Sequence, residues 1–281
     1  MTRDASVFEV VLRRDRQIVV AGLVTVITLS WLYILLGAGM GMSAFEMTSK
    51  TFPGSDHSVG ATMQMAHTAM MQPAVWTPGY ALLMVVMWWV MMVAMMLPSA
   101  IPMLLLFARV NRSQKTQGAP FVPTGVFASG YVVAWGVFSV LAAGLQWGLE
   151  RVGWLSSMMA STNAVFAGIV LLVAGVYQLT PLKHACLKHC RSPLQFITQH
   201  WRTGTAGVFR MGLDHGVFCL ACCWFLMALL FVGGVMNLYW IVGLAVLVLL
   251  EKTIPAGHGL GSLMGIGLMA WGGWMVAGTF L

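Results

Sequence analysis

Charge is scarce in this sequence. Only 8% of its 281 residues are Asp, Glu, Lys or Arg, and eight of these are acidic, against 59% apolar residues. A water-soluble globular domain is excluded by that balance. The shortage of carboxylates also leaves hydrolytic chemistry without support, since no paired acids stand in a pocket-like motif and neither a Gly-rich phosphate loop nor a Ser/His/Asp arrangement is present. No basic tract is interleaved with aromatics, so the formal charge of +7 reports membrane topology, not a nucleic-acid partner. Alternating segments of about ten residues, the mark of a membrane β-barrel, are missing. No internal repeat is evident. Cysteine is sparse as well: there are five, and an odd number cannot all be paired in disulfides within one chain.

What the chain does contain is long apolar runs, most of about 17 residues or more, which read as helices crossing a bilayer. The expected fold is all-α: a polytopic transmembrane bundle of about seven spans, near 18–42, 79–108, 122–148, 159–180, 212–236, 238–254 and 258–279, or six if one short element is re-entrant. The first run is too long for a signal-peptide core and is followed by no small-x-small cleavage site, so it is expected to be a retained helix. Placing the amino terminus in the cytoplasm leaves only Lys50 and Arg151 of the 15 basic residues outside, as the positive-inside rule requires. The whole chain, 1–281, is treated as one integral membrane domain.

Sulfur is plentiful in the form of methionine, with 23 residues. The external loop 43–78 carries Met47, His57, Met63, Met65, His67, Met70 and Met71, donors that suit copper, although their spacing fixes no site and a loop covering the bilayer interface is the favoured account of them. In the second span Met84, Met87, Met91 and Met95 recur at steps of three and four, a stripe that is either a thioether relay or ordinary packing; Pro98 and Pro102 should disrupt the helix beyond it. Glycines at 257, 261 and 265 permit close helix approach in the last span.

The cysteines are confined to two segments. Thr180 and Pro181 start a short helix on which Lys183, Cys186, Leu187 and Cys190 share a face, with His189 at its margin. An interfacial stretch follows, so 181–211 forms a cytoplasmic-side Cys/His segment. In the fifth span His215, Cys219, Cys222 and Cys223 fall on one helical face, next to Asp214. Cytoplasmic thiols are kept reduced, so metal ligation is favoured over structural disulfides. The candidate ligands are Cys186, Cys190, His189, His215, Cys219, Cys222 and Cys223, with Asp214 as a supporting partner. Lys252 is expected to be solvated at the interface, whereas Glu251, one residue deeper, is harder to account for in that way.

Four motifs together resemble a bacterial family of metal-binding integral membrane proteins, some of which carry a copper-chaperone label. They are MMVAMMLPSAIPMLLLF at 91–107, YQLTPLKHACLKHCRSP at 177–193, the Asp214-His215-Gly216 run leading to CLACCWFLMALLF at 219–231, and GVMNLYWIVGLAVLVLLEK at 234–252. The resemblance covers about residues 85–270 and implies a metal role for Cys186, Cys190, Cys219, Cys222 and Cys223, with Glu251 and Lys252 in the family pattern.

The leading expectation is a non-enzymatic protein of the bacterial inner membrane that binds, delivers or translocates Cu(I), with zinc as the other candidate ion. Its partners would be the lipid bilayer, the metal ion and a metal-donor or acceptor protein, with no role for nucleic acid. A membrane thiol-disulfide oxidoreductase and a non-catalytic subunit of a membrane complex are the alternatives.

Overall fold

The computed structural model describes residues 3–50, 75–116, 121–156, 159–254 and 257–280. Helix α1 (Arg3–Leu35) ends in a glycine turn, and the short α2 (Ala44–Lys50) follows. Helix α2 begins with a reciprocal cap: Glu46 accepts from the Ser43 amide at 2.7 Å while the Ser43 hydroxyl accepts from the Glu46 amide at 3.3 Å. The loop residues His57, Met63, Met65, His67, Met70 and Met71 lie outside the described residues.

Helix α3 (Pro78–Thr116) runs through Pro98 and Pro102 without ending, contrary to the expected disruption. Each proline removes one intrahelical bond, but neighbouring helices and hydroxyls supply polar contacts at that depth, which lets a membrane helix tolerate them. Helices α4 (Thr124–Arg151) and α5 (Ala164–Gln178) follow, and Asn163 caps α5 by accepting from the Phe166 amide at 3.0 Å. Then the chain bends by 64° into α6 (Pro181–Arg191). Thr180 caps α6 through the Lys183 amide at 3.3 Å and Pro181 occupies its first turn, so the bend is written into the Thr-Pro pair. Helix α7 (Pro193–His200) leads into α8 (Gly204–Ala228), which is prolonged by one further turn to Gly233. Asn237 caps α9 (Leu238–Thr253), and α10 (Gly257–Ala277) completes the chain.

The fold is therefore all-helical; among the described residues the extended pairing is one isolated bridge between Leu155 and Ser161. Five helices are long and apolar enough to cross a bilayer, or six if α5 and α6 count as one broken span. The count of seven expected from hydropathy included 238–254 as a span; there the helix has 16 residues, short of that criterion.

Close backbone approach organises the bundle. Helices α4 and α8 touch at Gly130 and Gly212: a Cβ on Gly130 would stand 2.1 Å from the Phe209 carbonyl, and one on Gly212 would stand 1.9 Å from the Phe127 carbonyl. Helices α5 and α10 meet in the same way through Gly168, Gly175, Gly265 and Gly272. In lipid, where burying an apolar side chain against another helix gains little over burying it in acyl chains, such close van der Waals contact is the main source of helix association. Gly212→Ala should therefore separate α4 from α8 and cost about 1–3 kcal/mol. Gly144→Ala, which meets open space, should be neutral or slightly stabilising. Thermal unfolding of the two variants in detergent checks this contrast.

Candidate functional site

The bend at Thr180-Pro181, the end of α9 and the middle of α8 bring polar groups together inside the bundle. The first cluster is an ion pair. Lys183 on α6 donates to both Glu251 oxygens at 2.8 Å and also to the Gln178 carbonyl oxygen. Gln178 in turn donates to Glu251 at 3.3 Å. Lys183 is 1% exposed and Glu251 2% exposed, so neither charge is met by water. Gly261 of α10 covers the carboxylate, and a Cβ there would stand 2.9 Å from Glu251 Oε1. The glycine spacing thus serves the ion pair as well as helix packing.

The second cluster starts one residue later. Position 252 is rotated by about 100° around the helix from position 251, so Lys252 faces α3 and α8. Its ammonium donates to Cys219 Sγ at 2.9 Å and to Ser99 Oγ at 3.1 Å. Only 9% of Lys252 is exposed, so the expected interfacial solvation is replaced by burial against sulfur and hydroxyl. Tyr131 of α4 closes the cluster, with its hydroxyl 3.1 Å from Cys219 Sγ and 3.2 Å from the Met96 carbonyl.

Around Cys219 the remaining sulfurs gather. The Cys222 and Cys223 thiols both donate to the Cys219 carbonyl at 3.0 Å, as residues three and four positions on in a helix can. Cys223 Sγ also lies 3.9 Å from Met96 Sδ of α3. Cys190, half-buried on α6, reaches the same cluster beside Cys219 and Cys222. Cys186, one turn earlier, is a more distant neighbour of Cys222 and is half-exposed. All five cysteines are free thiols.

The other candidate ligands are distributed differently. His215 is buried one turn before Cys219, enclosed by Phe127, Tyr131 and Phe196 with ring centroids 6.1, 5.7 and 5.2 Å away. Its Nδ1 is a buried atom with no hydrogen-bond partner among the described residues. His189 is stacked on Phe218 at 4.7 Å and bonds back to the Ala185 carbonyl at 3.0 Å, away from the sulfurs. Asp214 points to the rim, where Arg202 lies 3.6 Å from it.

Four residues of the cluster were not among the ligand candidates: Met96, Ser99, Tyr131 and Lys252. The sequence signal for Lys252 is a cation within an apolar run, which ordinarily marks a functional position in a membrane helix. Nothing in the sequence connects Tyr131 or Ser99 to the cysteines.

The donor set is chemically uniform. Three buried thiols and a thioether converge, with half-buried Cys190 beside them, and soft sulfur of this kind suits Cu(I) better than hard divalent ions. The sulfurs adjoin one another without forming a closed cage: among the described residues no group of three or more His, Cys, Asp or Glu side chains is arranged to hold a metal ion. The Cys222 and Cys223 thiols are turned toward the Cys219 carbonyl instead.

Removing one member of the buried ion pair should be costly, because the other is left as an uncompensated charge. Glu251→Gln is expected to destabilise the protein by about 3–5 kcal/mol, while the double change Lys183→Met with Glu251→Leu should recover most of that loss. Chemical unfolding of the single and double variants in mixed micelles measures it.

With this geometry in place, comparison with known proteins is informative. A family model, PpoB2, described as "Copper chaperone", matches residues 85–275, from within α3 to within α10. No curated protein and no solved structure matches the chain.

Proposed function

Since the chain belongs to the copper-chaperone family, we propose that it is an integral membrane protein that holds and hands over Cu(I) at the buried sulfur cluster of α6 and α8. Copper is the cargo of this protein and not a resident cofactor. The observation that carries the reading is the meeting of Cys190, Cys219, Cys222 and Cys223 with Met96 inside the bundle.

In this reading the Cys222 and Cys223 thiols rotate from the Cys219 carbonyl toward the arriving ion and release their protons as they bind it. Rotation of a thiol about one bond is a small change, and the hydrogen bond it gives up is a weak one. Lys252 and Tyr131 hold Cys219 in place by hydrogen bonds to its sulfur. Cys186, half-exposed at the rim, is where a donor or acceptor protein exchanges the ion. The ion is bound and passed on with no change of oxidation state, so the proposed role is binding and delivery and not catalysis.

The same proposal includes the sidedness of the fold. The amino terminus is cytoplasmic in a bacterial inner membrane, and α9 acts as a short seventh span that ends in the interior at Glu251 and Lys252. The distribution of Lys and Arg supports this orientation. It places the α6 and α7 segment on the cytoplasmic face.

Purified protein should contain copper near one equivalent or above, and Cys219→Ser/Cys222→Ser/Cys223→Ser should lose it. Asp214→Asn and His189→Gln should retain it, because neither side chain adjoins the sulfurs. Metal analysis of the four proteins is the test, and copper content unchanged in the triple cysteine variant rejects the site.

A further inference from the structure

A stripe of methionines on α3 lies outside the cysteine cluster. Met84, Met87, Met91 and Met95 are all within 1% of full burial, as is Met96. At 1.5 Å per residue their backbone positions climb in steps of about 4.5–6 Å, a span that flexible thioether side chains can bridge. Met96 makes the sulfur–sulfur contact to Cys223 at one end.

The opposite end is polar in an unusual way. Met84 Sδ accepts from the Gln146 amide at 3.5 Å, and Gln146 is held by Trp88 at 2.8 Å and by Glu150 at 2.8 Å. Glu150 also accepts from Trp76 Nε1 at 2.7 Å. Among the described residues no basic side chain pairs with Glu150; the adjacent Arg151 lies over the Trp147 ring instead, at 5.1 Å. Among the described residues, therefore, a carboxylate with no basic partner stands at one end of a buried column of thioethers. Attraction of a cation at that end and soft ligation along the column are complementary.

Resting on the proposed copper reading, we infer that the thioethers of Met84, Met87, Met91, Met95 and Met96 form a coordination path along which Cu(I) moves between the Glu150 end of α3 and the cysteine cluster. Each step along the column is a ligand exchange, in which the ion leaves one thioether as it is taken by the next with no change in its oxidation state; a proton is released only at the last step, when a cysteine thiol takes the ion as thiolate. A neutral thioether binds Cu(I) more weakly than a thiolate, so the ion is passed along the column and retained at the cysteines.

Methionine to leucine separates this role from packing, because leucine fills nearly the same volume without a sulfur donor. Sealed membrane vesicles of either orientation, containing wild-type protein or M84L/M87L/M91L/M95L, are exposed to Cu(I) held by an impermeant chelator. Loading is quenched at timed intervals and the purified protein analysed for copper. The expected result is at least a tenfold slower loading of the variant from the Glu150 face, equal loading from the opposite face and an unchanged final stoichiometry in detergent. Should the quadruple variant not fold, the single Met91→Leu change interrupts the column at its centre and carries the same expectation. Wild-type loading rates from the Glu150 face in a folded variant overturn the path while leaving the cysteine site intact. Wild-type protein that takes up no copper in detergent rejects the cysteine reading, and the path with it.

Discussion

The Lys252 ammonium, removed from water and donating to Cys219 sulfur, is the contact on which the interior of this protein depends. Desolvating an ammonium inside a membrane bundle is strongly unfavourable unless hydrogen bonds replace its hydration. Those bonds come from Cys219 on α8 and Ser99 on α3, and the contact works only while α3, α8 and α9 keep their spacing. The glycine contacts that pull α4 against α8 bring Tyr131 to the same sulfur. Packing and polar chemistry are therefore one constraint. The helices approach closely so that the polar groups can pair, and the paired groups fix how the helices approach.

The neighbouring Lys183–Glu251 pair solves a related problem independently. Two lysines and one carboxylate lie in the interior at adjoining depths, and the carboxylate is engaged by Lys183. Lys252 is left to sulfur and hydroxyl partners. The consequence is a buried cluster of soft sulfur groups around Cys219, in a chain that belongs to the copper-chaperone family. A divalent hard ion would meet few oxygen ligands there, since the carboxylate within reach is occupied and Asp214 is at the rim beside Arg202. Sulfur donors of this kind suit soft ions better than hard ones.

Much of this was legible in the chain and some was not, for identifiable reasons. The helical spacing of His215, Cys219, Cys222 and Cys223 places them on one side of α8, and all four are buried. Thr180-Pro181 marks a helix start, and the structure has both the cap and a bend there. The four motifs pointed to residues 85–270, and the family match spans 85–275. In contrast, hydropathy did not give the length of α9, which is 16 residues, because an apolar run reports preference for lipid and not the length of the helix that forms. It also placed Lys252 in the interface. Depth of burial is set by which neighbours surround the end of a helix, and a hydropathy window contains no neighbours.

The sequence by itself determined the environment and the elements. Scarce charge and long apolar runs require a membrane, a lipid-facing backbone requires helices, and helical periodicity puts the cysteines of α8 on one side. The family motifs are equally a property of the sequence. Only the tertiary structure decided which partners those side chains meet. Cys219 touches Lys252, Ser99 accepts from the same ammonium, Tyr131 comes from a fourth helix, and Met96 of α3 joins through Cys223. These residues come from four helices, and the close glycine approach of α4 to α8 brings Tyr131 to Cys219. Periodicity determines which way a residue faces on its own helix, but the group across the gap depends on how whole helices cross.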